Sequence, residues 1–294
     1  MSELKLLEEK HPNAEGRRRF DNLVGVDRQK QVLLEELLLL LDPARLDAWR
    51  ARHHRRGLPV ADVARRRPPL VLLSGEVGTG KTALARAIGT PLAEALDTPI
   101  RVLETPSDIR GSGLVGEISA RVTAAFSQAR MLLGKSPGLL IMDEADDLAT
   151  RRSQEQAHHE DRAGLNVLLK QLDQVGRDGQ HLVVILVTNR PEVLDPAVRR
   201  RVSLHVAFTR PDESARRSMF AEILRGTDTD AAAVDRLAEM SERSPPFSSS
   251  DLFERVAPLA LRLALRADRP FGHELLEEAL GEVEPTPLLD ERTS

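Results

Sequence analysis

The stretch Gly75-Glu76-Val77-Gly78-Thr79-Gly80-Lys81-Thr82 sets glycines, a lysine and a hydroxyl residue in the order GxxxxGK[ST], and that order suits the binding of a polyphosphate. Glycines let backbone N–H groups wrap the phosphate oxygens, the lysine reaches the β and γ phosphates, and the hydroxyl ligates Mg²⁺. Lys81 and Thr82 take those two roles here, with Ala83 following them in the nucleotide site. Further along, Leu139-Leu140-Ile141-Met142 runs into Asp143 and Glu144. An apolar strand ending in two carboxylates presents them where open α/β sheets place their reactive groups. Asp143 is suited to the Mg²⁺ shell and Glu144 to activating an attacking water. A third apolar run ends in Val187-Thr188-Asn189-Arg190-Pro191, where the Asn189 amide can hydrogen-bond the γ-phosphate or orient that water. Singly, a glycine-rich turn, an Asp-Glu helix cap and an Asn turn before proline are ordinary features. Each gains weight from following the one before.

The elements that must hold these residues can be read from periodicity. Short apolar runs at Leu70–Leu73, Ile100–Leu103, Leu139–Met142 and Leu182–Val187, with a weaker one at Val202–Phe208, read as buried strands. Helical patterns at Lys81–Ala95, Ile118–Leu133 and Arg162–Val175 alternate with them, which predicts a parallel sheet covered on both faces. Two more helices, Arg28–Leu41 and Pro43–Arg56, precede the first strand. After Arg210-Pro211 no strand-like run remains, and helices are expected at Glu213–Leu224, Ala231–Ser241, Ser249–Ala267 and Phe271–Gly281. The expected division is an N-terminal extension over 1–19, a large α/β domain over 20–210, a small all-helical domain over 211–284 and a flexible tail over 285–294.

Composition narrows the function classes. The 294 residues are 41% hydrophobic and 30% charged, as in an ordinary folded protein. There is no cysteine, so disulfides and thiolate metal sites are excluded. The polar, acid-bearing start is not a secretory signal, and Val32–Leu41 is interrupted by Glu35 and Glu36, short of the roughly 18 apolar residues a membrane span needs. The expected location is cytoplasmic, with no membrane partner. Arginines crowd the N-terminal third at 17–19, 50–56 and 65–67 although the net charge is only -4. Such clusters can follow nucleic-acid phosphates. With 3% aromatic residues, one Trp and no Tyr, stacking on bases has little to work with, and a solvated or intersubunit face is the simpler reading. His158 and His159 are adjacent but lack further ligands around them.

The three phosphate-site motifs, in this order, resemble those of AAA+ ATPases, and the resemblance runs over most of the chain from Phe20. It implies ATP and Mg²⁺ as cofactors, hydrolysis of ATP, and a P-loop α/β domain followed by a helical lid. Phe20-Asp21-Asn22-Leu23-Val24-Gly25 is similar to the family's opening segment, which places Val24 and Gly25 against adenine. Leu194-Asp195-Pro196-Ala197-Val198-Arg199-Arg200-Arg201 is similar to the stretch bearing arginine fingers, which implies that Arg200 and Arg201 complete a neighbouring subunit's site. A finger acting in trans needs head-to-tail packing, and by resemblance the assembly is a hexameric ring. Gly111-Ser112-Gly113-Leu114-Val115-Gly116-Glu117 looks like the first pore loop of protein-remodelling members, giving Gly113, Leu114, Val115 and Gly116 a substrate role. Those members usually carry an aromatic residue where this chain has Leu114. A second pore loop is expected within Arg151–Asp161. Phe247-Ser248-Ser249-Ser250-Asp251-Leu252 resembles the lid motif but contains no arginine, and Arg255 follows one turn later.

With no fused protease motif and only a short segment before Phe20, the chain reads as a bare motor module. Its Asn166-Val167-Leu168-Leu169-Lys170-Gln171-Leu172-Asp173 segment and the spacing of Arg201 to Pro211 look most like the pachytene-checkpoint branch. That resemblance implies a HORMA-domain protein as substrate, within a bacterial antiphage signalling system that includes a nucleotidyltransferase. An AAA+ unfoldase or activase for a different protein, a nucleic-acid motor, and a non-hydrolysing ATP-gated scaffold remain as alternatives.

Overall fold

The computed structural model describes residues 4–54, 56–106, 116–146, 159–177 and 181–288. They form two compact units, one of 1–20, 28–74 and 82–207, the other of 21–27, 75–81 and 208–294.

The first unit is built on a six-stranded sheet. Its strands are β1 (Leu7–His11), β2 (Leu70–Gly75), β3 (Ile100–Glu104), β4 (Gly138–Met142), β5 (Leu182–Thr188) and β6 (Leu204–Phe208), in the order β1-β3-β4-β5-β2-β6. β3, β4, β5 and β2 pair in parallel. Every residue of β4 and β5 is buried, because a parallel strand covered on both faces has no solvent side. Helices Glu117–Leu133 and His159–Arg177 lay Ile118, Phe126, Leu165, Leu168 and Leu172 on one face, against Leu72, Leu140, Met142, Val184 and Leu186. β6 alternates buried and exposed side chains, as an edge strand does.

Three departures from the expected elements have local causes. β1 is an extra strand, antiparallel to β3. Its sequence LEEKH carries charge that suits a solvent-facing edge, and Arg101 on β3 donates to Glu8 at 2.6 Å. The expected helix over Lys81–Ala95 is two helices, Lys81–Ala87 and Gly89–Leu96, since Pro91 has no N–H to give the Ala87 carbonyl. Gly89 also lies against the buried His11 ring, where an added Cβ would stand 2.5 Å from Cδ2. A short helix, Pro59–Arg65, follows Gly57, opened by a proline at its first turn.

The second unit is all helical: Glu213–Ile223, Ala231–Met240, a π-helical turn Asp251–Val256 leading into Ala257–Ala267, and His273–Glu282. Asp212 and Asp230 cap the first two helices through the N–H groups of Ala215 and Ala233. The core gathers Phe220, Leu237, Phe247, Leu252, Leu276 and Leu280, with Val24 packed against it. A fully buried Arg216 spends its donors on the Pro211 carbonyl (2.9 Å), Ser241 Oγ (2.9 Å) and Glu242. Thr286, expected in a loose tail, is instead hydrogen-bonded to Asp251 through both its N–H and its hydroxyl. No described helix is long and apolar enough to cross a membrane.

Candidate functional site

Register brings the candidate groups to one edge of the sheet. β4 and β5 align Met142 with Leu186, and β2 and β5 align Ser74 with Thr188. Asp143 and Glu144 after β4, and Thr188 and Asn189 at the end of β5, therefore leave the sheet at the same C-terminal end as Ser74 on β2, where such sheets place ligands.

In the sheet unit, Thr82 Oγ1 donates to Asp143 Oδ2 at 2.8 Å, and Asp143 Oδ1 accepts the Glu144 N–H at 2.9 Å. A hydroxyl beside a carboxylate is a hard-oxygen donor pair, which fits a Mg²⁺ that takes one or two protein ligands and leaves the rest to phosphate and water. No cluster of three or more His, Asp or Glu side chains able to hold a metal ion by themselves exists among the described residues. Glu144 has φ 53°, a left-handed backbone that costs a non-glycine residue about 1 kcal/mol or more. Asn189 is half-buried at the end of β5. Its neighbour Thr188 donates to Asp146 at 2.6 Å and accepts the Arg190 N–H at 3.0 Å, which pins the β5 turn to the residues after β4.

Beyond β5, the Asp195 side chain accepts the Ala197 N–H at 2.7 Å and caps the single-turn helix Pro196–Arg199. The two expected fingers differ. Arg201 is forked onto Asp173 and also donates to the Ala197 carbonyl, and the pair raises the Arg201 pKa while lowering that of Asp173. Arg200 is exposed.

In the helical unit, the loop after β2 turns where side chains do not fit. At Gly75, φ 137°, an added Cβ would stand 1.9 Å from the Phe208 carbonyl oxygen; at Gly78, φ 75°, it would stand 2.8 Å from Ser248 Oγ. Ser250 N–H donates to the Gly78 carbonyl at 2.9 Å. The loop also closes on itself, since the Glu76 carbonyl accepts from Thr79 Oγ1 at 2.8 Å and Lys81 Nζ at 2.5 Å. Gly80 has φ 94°, while Val77 and Ala83 are exposed. Gly25, φ 78°, lies against helix Glu213–Ile223, 2.8 Å from Met219 Cε by the same Cβ measure. Val24, Gly25 and Gly75–Lys81 thus belong with the helical unit, while Thr82, Ala83, Asp143, Glu144, Asn189, Arg200 and Arg201 belong with the sheet unit.

Arg255, one turn beyond the lid motif, donates to Asp251 Oδ1 at 2.7 Å. Of the expected pore loop, Gly116 is the residue before helix Glu117–Leu133, with φ 84°; Gly113, Leu114 and Val115 lie outside the described residues, as do His158 and most of 151–161. Asp146 belongs to no motif, and Asp173 enters only as the end of the Asn166–Asp173 segment. Their one signal was position, Asp146 just after the Asp143-Glu144 pair and Asp173 at the end of a helix with an apolar stripe.

Comparison with known proteins extends the picture over the whole chain. The family model for "ATPase family associated with various cellular activities (AAA)" matches residues 71–210. CD-NTase-associated protein 6 of Escherichia coli (strain MS 115-1) is 35% identical over 294 aligned residues, covering 96% of this chain and 94% of that protein. A chain in the solved E. coli MS115-1 HORMA:CdnC:Trip13 complex superposes with a TM-score of 0.91 at 33% identity, covering 98% of each chain. Rhizobiales Trip13 superposes with a TM-score of 0.74 at 30% identity, covering 96% of this chain and 98% of that one. The chain belongs to the AAA ATPase family, enzymes that bind and hydrolyse ATP, and within it to the group of CD-NTase-associated protein 6 and the bacterial Trip13 proteins.

Proposed function

We propose that this ATPase is a hexameric, cytoplasmic remodeller of a HORMA-domain protein in a nucleotidyltransferase-based antiphage system. The observation that carries this reading is the likeness, over 98% of both chains, to a chain of the HORMA:CdnC:Trip13 complex. Lys81 and the loop N–H groups hold the β and γ phosphates, Thr82 and Asp143 hold Mg²⁺, and Val24 and Gly25 lie against adenine. Bound there, Mg²⁺ supplies charge neutralisation for the phosphoryl oxygens. Glu144 takes a proton from the water that attacks the γ-phosphorus, Asn189 orients that water, and the bond to the β–γ bridging oxygen breaks to give ADP and phosphate. Arg200 and Arg201 of a neighbouring subunit offset the charge that develops.

Work on the substrate is assigned to the loop around Leu114. An aliphatic side chain grips through van der Waals contact, individually weak, so the pull relies on several subunits acting together. The expected experiment mixes the ATPase with a HORMA protein encoded beside it and follows release of that protein's bound peptide or partner enzyme. Release that requires ATP, Glu144 and Leu114 is expected, with Leu114→Asp sparing basal hydrolysis. If the Glu144→Gln protein held in ATP does not bind the HORMA protein, this substrate is wrong and another protein or a nucleic acid takes its place.

A further inference from the structure

Arg210 closes the last turn before the lid helices, and its nearly buried guanidinium joins parts of the helical unit that are far apart in sequence. Nε donates to Glu76 Oε2 at 2.7 Å, a residue of the glycine-rich loop. Nη1 donates to the Pro246 carbonyl, and Nη2 to the Thr286 carbonyl at 2.6 Å. Thr286 lies after the final helix. Its N–H and hydroxyl donate to the two oxygens of buried Asp251, at 3.1 and 2.6 Å, which also accepts from the Ser248 N–H and Oγ–H and from Arg255. Ser248 is the side chain that fills the space beside Gly78, and Ser250 N–H holds the Gly78 carbonyl. Two pins thus run from Thr286 to the loop, one through Arg210 to the Glu76 side chain, the other through Asp251 and the lid motif to Gly78.

We propose that Arg210 is a positioning residue for the phosphate loop, and that Thr286 is the latch that keeps it aimed, so that nucleotide affinity depends on a segment outside the nucleotide site. The physical need is clear. A loop with glycines at 75, 78 and 80 in left-handed or strained backbone loses about 1–2 kcal/mol per residue of conformational entropy when it is fixed, and glycine loses the most. Anchoring Glu76 and Gly78 in advance removes part of that loss from the binding step. Arginine suits the task because its planar fork serves three acceptors at fixed angles, which a lysine ammonium cannot do.

This inference rests on Gly75–Thr82 being the nucleotide loop, so Lys81→Ala is the reference. The experiment measures Kd for a fluorescent ADP analogue, KM and kcat for ATP, and the melting temperature without nucleotide, on Arg210→Met, Arg210→Lys and Thr286→Val. Loss of one hydrogen bond to a charged group predicts Kd and KM about tenfold higher in Arg210→Met, with a smaller fall in kcat at saturating ATP. Arg210→Lys should recover little, and Thr286→Val should move Kd in the same direction by a smaller factor. If Arg210→Met does not fold, Arg210→Lys tests the pin to Glu76 and Thr286→Val the pin through Asp251. Unchanged Kd with a lowered melting temperature would make Arg210 a structural pin of the lid and overturn the proposal. If Lys81→Ala binds nucleotide like the parent, the loop assignment itself is wrong and the proposal falls with it.

Discussion

Asp173 holds Arg201 by two parallel hydrogen bonds, from Nε at 2.7 Å and Nη2 at 3.0 Å. The acid comes from the C-terminal part of helix His159–Arg177 and the arginine from the turn after helix Pro196–Arg199. On an exposed surface such a pair adds little stability, about 0–1 kcal/mol; under the proposed finger role it aims the guanidinium.

Arg201→Ala should therefore keep ATP binding and lose turnover by about 10³ or more, as removal of an arginine finger does. Arg201→Lys should not restore it, because lysine cannot form the fork. Asp173→Asn should give a milder loss of about tenfold, since one oxygen acceptor survives. Mixing Arg201→Ala with Lys81→Ala subunits should regain part of the activity, and steady-state hydrolysis of the mixture measures it. A verified monomer that hydrolyses ATP as fast as the assembly would remove the trans role.

Glu144 joins its proposed role as the base to a left-handed backbone, φ 53°, and the two can be separated. Glu144→Gln keeps the strain and removes the base, so hydrolysis should fall by about 10² to 10⁴ with binding intact. Glu144→Gly removes both and should abolish turnover; relief of the left-handed backbone, about 1–2 kcal/mol, is offset in part by glycine's extra unfolded-state entropy, about 0.5–1 kcal/mol, so its stability should equal or slightly exceed that of Glu144→Gln. Chemical denaturation of the two variants side by side gives the test; a glycine variant less stable than Glu144→Gln by about 1 kcal/mol would mean that the backbone is not strained there.

Acid sensitivity should trace to Asp251. Burial raises the pKa of its carboxyl, but hydrogen bonds from Thr286, the Ser248 N–H, Arg255 and the Ser248 hydroxyl outweigh that and bring it from 3.8 to about 2. A carboxyl depressed in the folded state stabilises above its unfolded pKa, and loses that contribution as pH falls from about 4 towards 2. The amount is about 2 kcal/mol at neutral pH. Asp251→Asn should lower the melting temperature at pH 7 and flatten its fall below pH 4. Parallel pH curves for the two proteins would contradict this assignment.

The His11 ring is buried between Gly16 and Gly89, and Nδ1 is 2.9 Å from Thr90 Oγ1. Gly89→Ala would push a methyl into that ring, an overpacking that costs about 1–3 kcal/mol. Burial also holds the imidazole below its usual pKa, so the folded state prefers the neutral form. The stability it supports is present above the unfolded pKa near 6.5 and is lost as pH falls below it. Thermal melts of parent and Gly89→Ala at pH 8 and pH 5 should show both effects, and a Gly89→Ala melt that matches the parent would refute the packing account.

The chemistry was legible in the sequence because it depends on residue type and local order. GEVGTGKT between a strand and a helix needs no partner from elsewhere to be read, and the runs ending at Asp143 and Asn189 are apolar enough to be recognised as buried strands. Tertiary structure decided what local order does not encode. β1 was hidden because its charged residues satisfy an edge that exists only once β3 is in place. The break after Ala87 has a local cause in Pro91, whereas the need for a glycine at 89 arises only once His11 is packed against it. Asp173, Arg210, Asp251 and Thr286 gained their roles from contacts that folding creates between distant segments: Arg210 is an ordinary arginine before a proline until Glu76 and Thr286 are both within reach of its guanidinium.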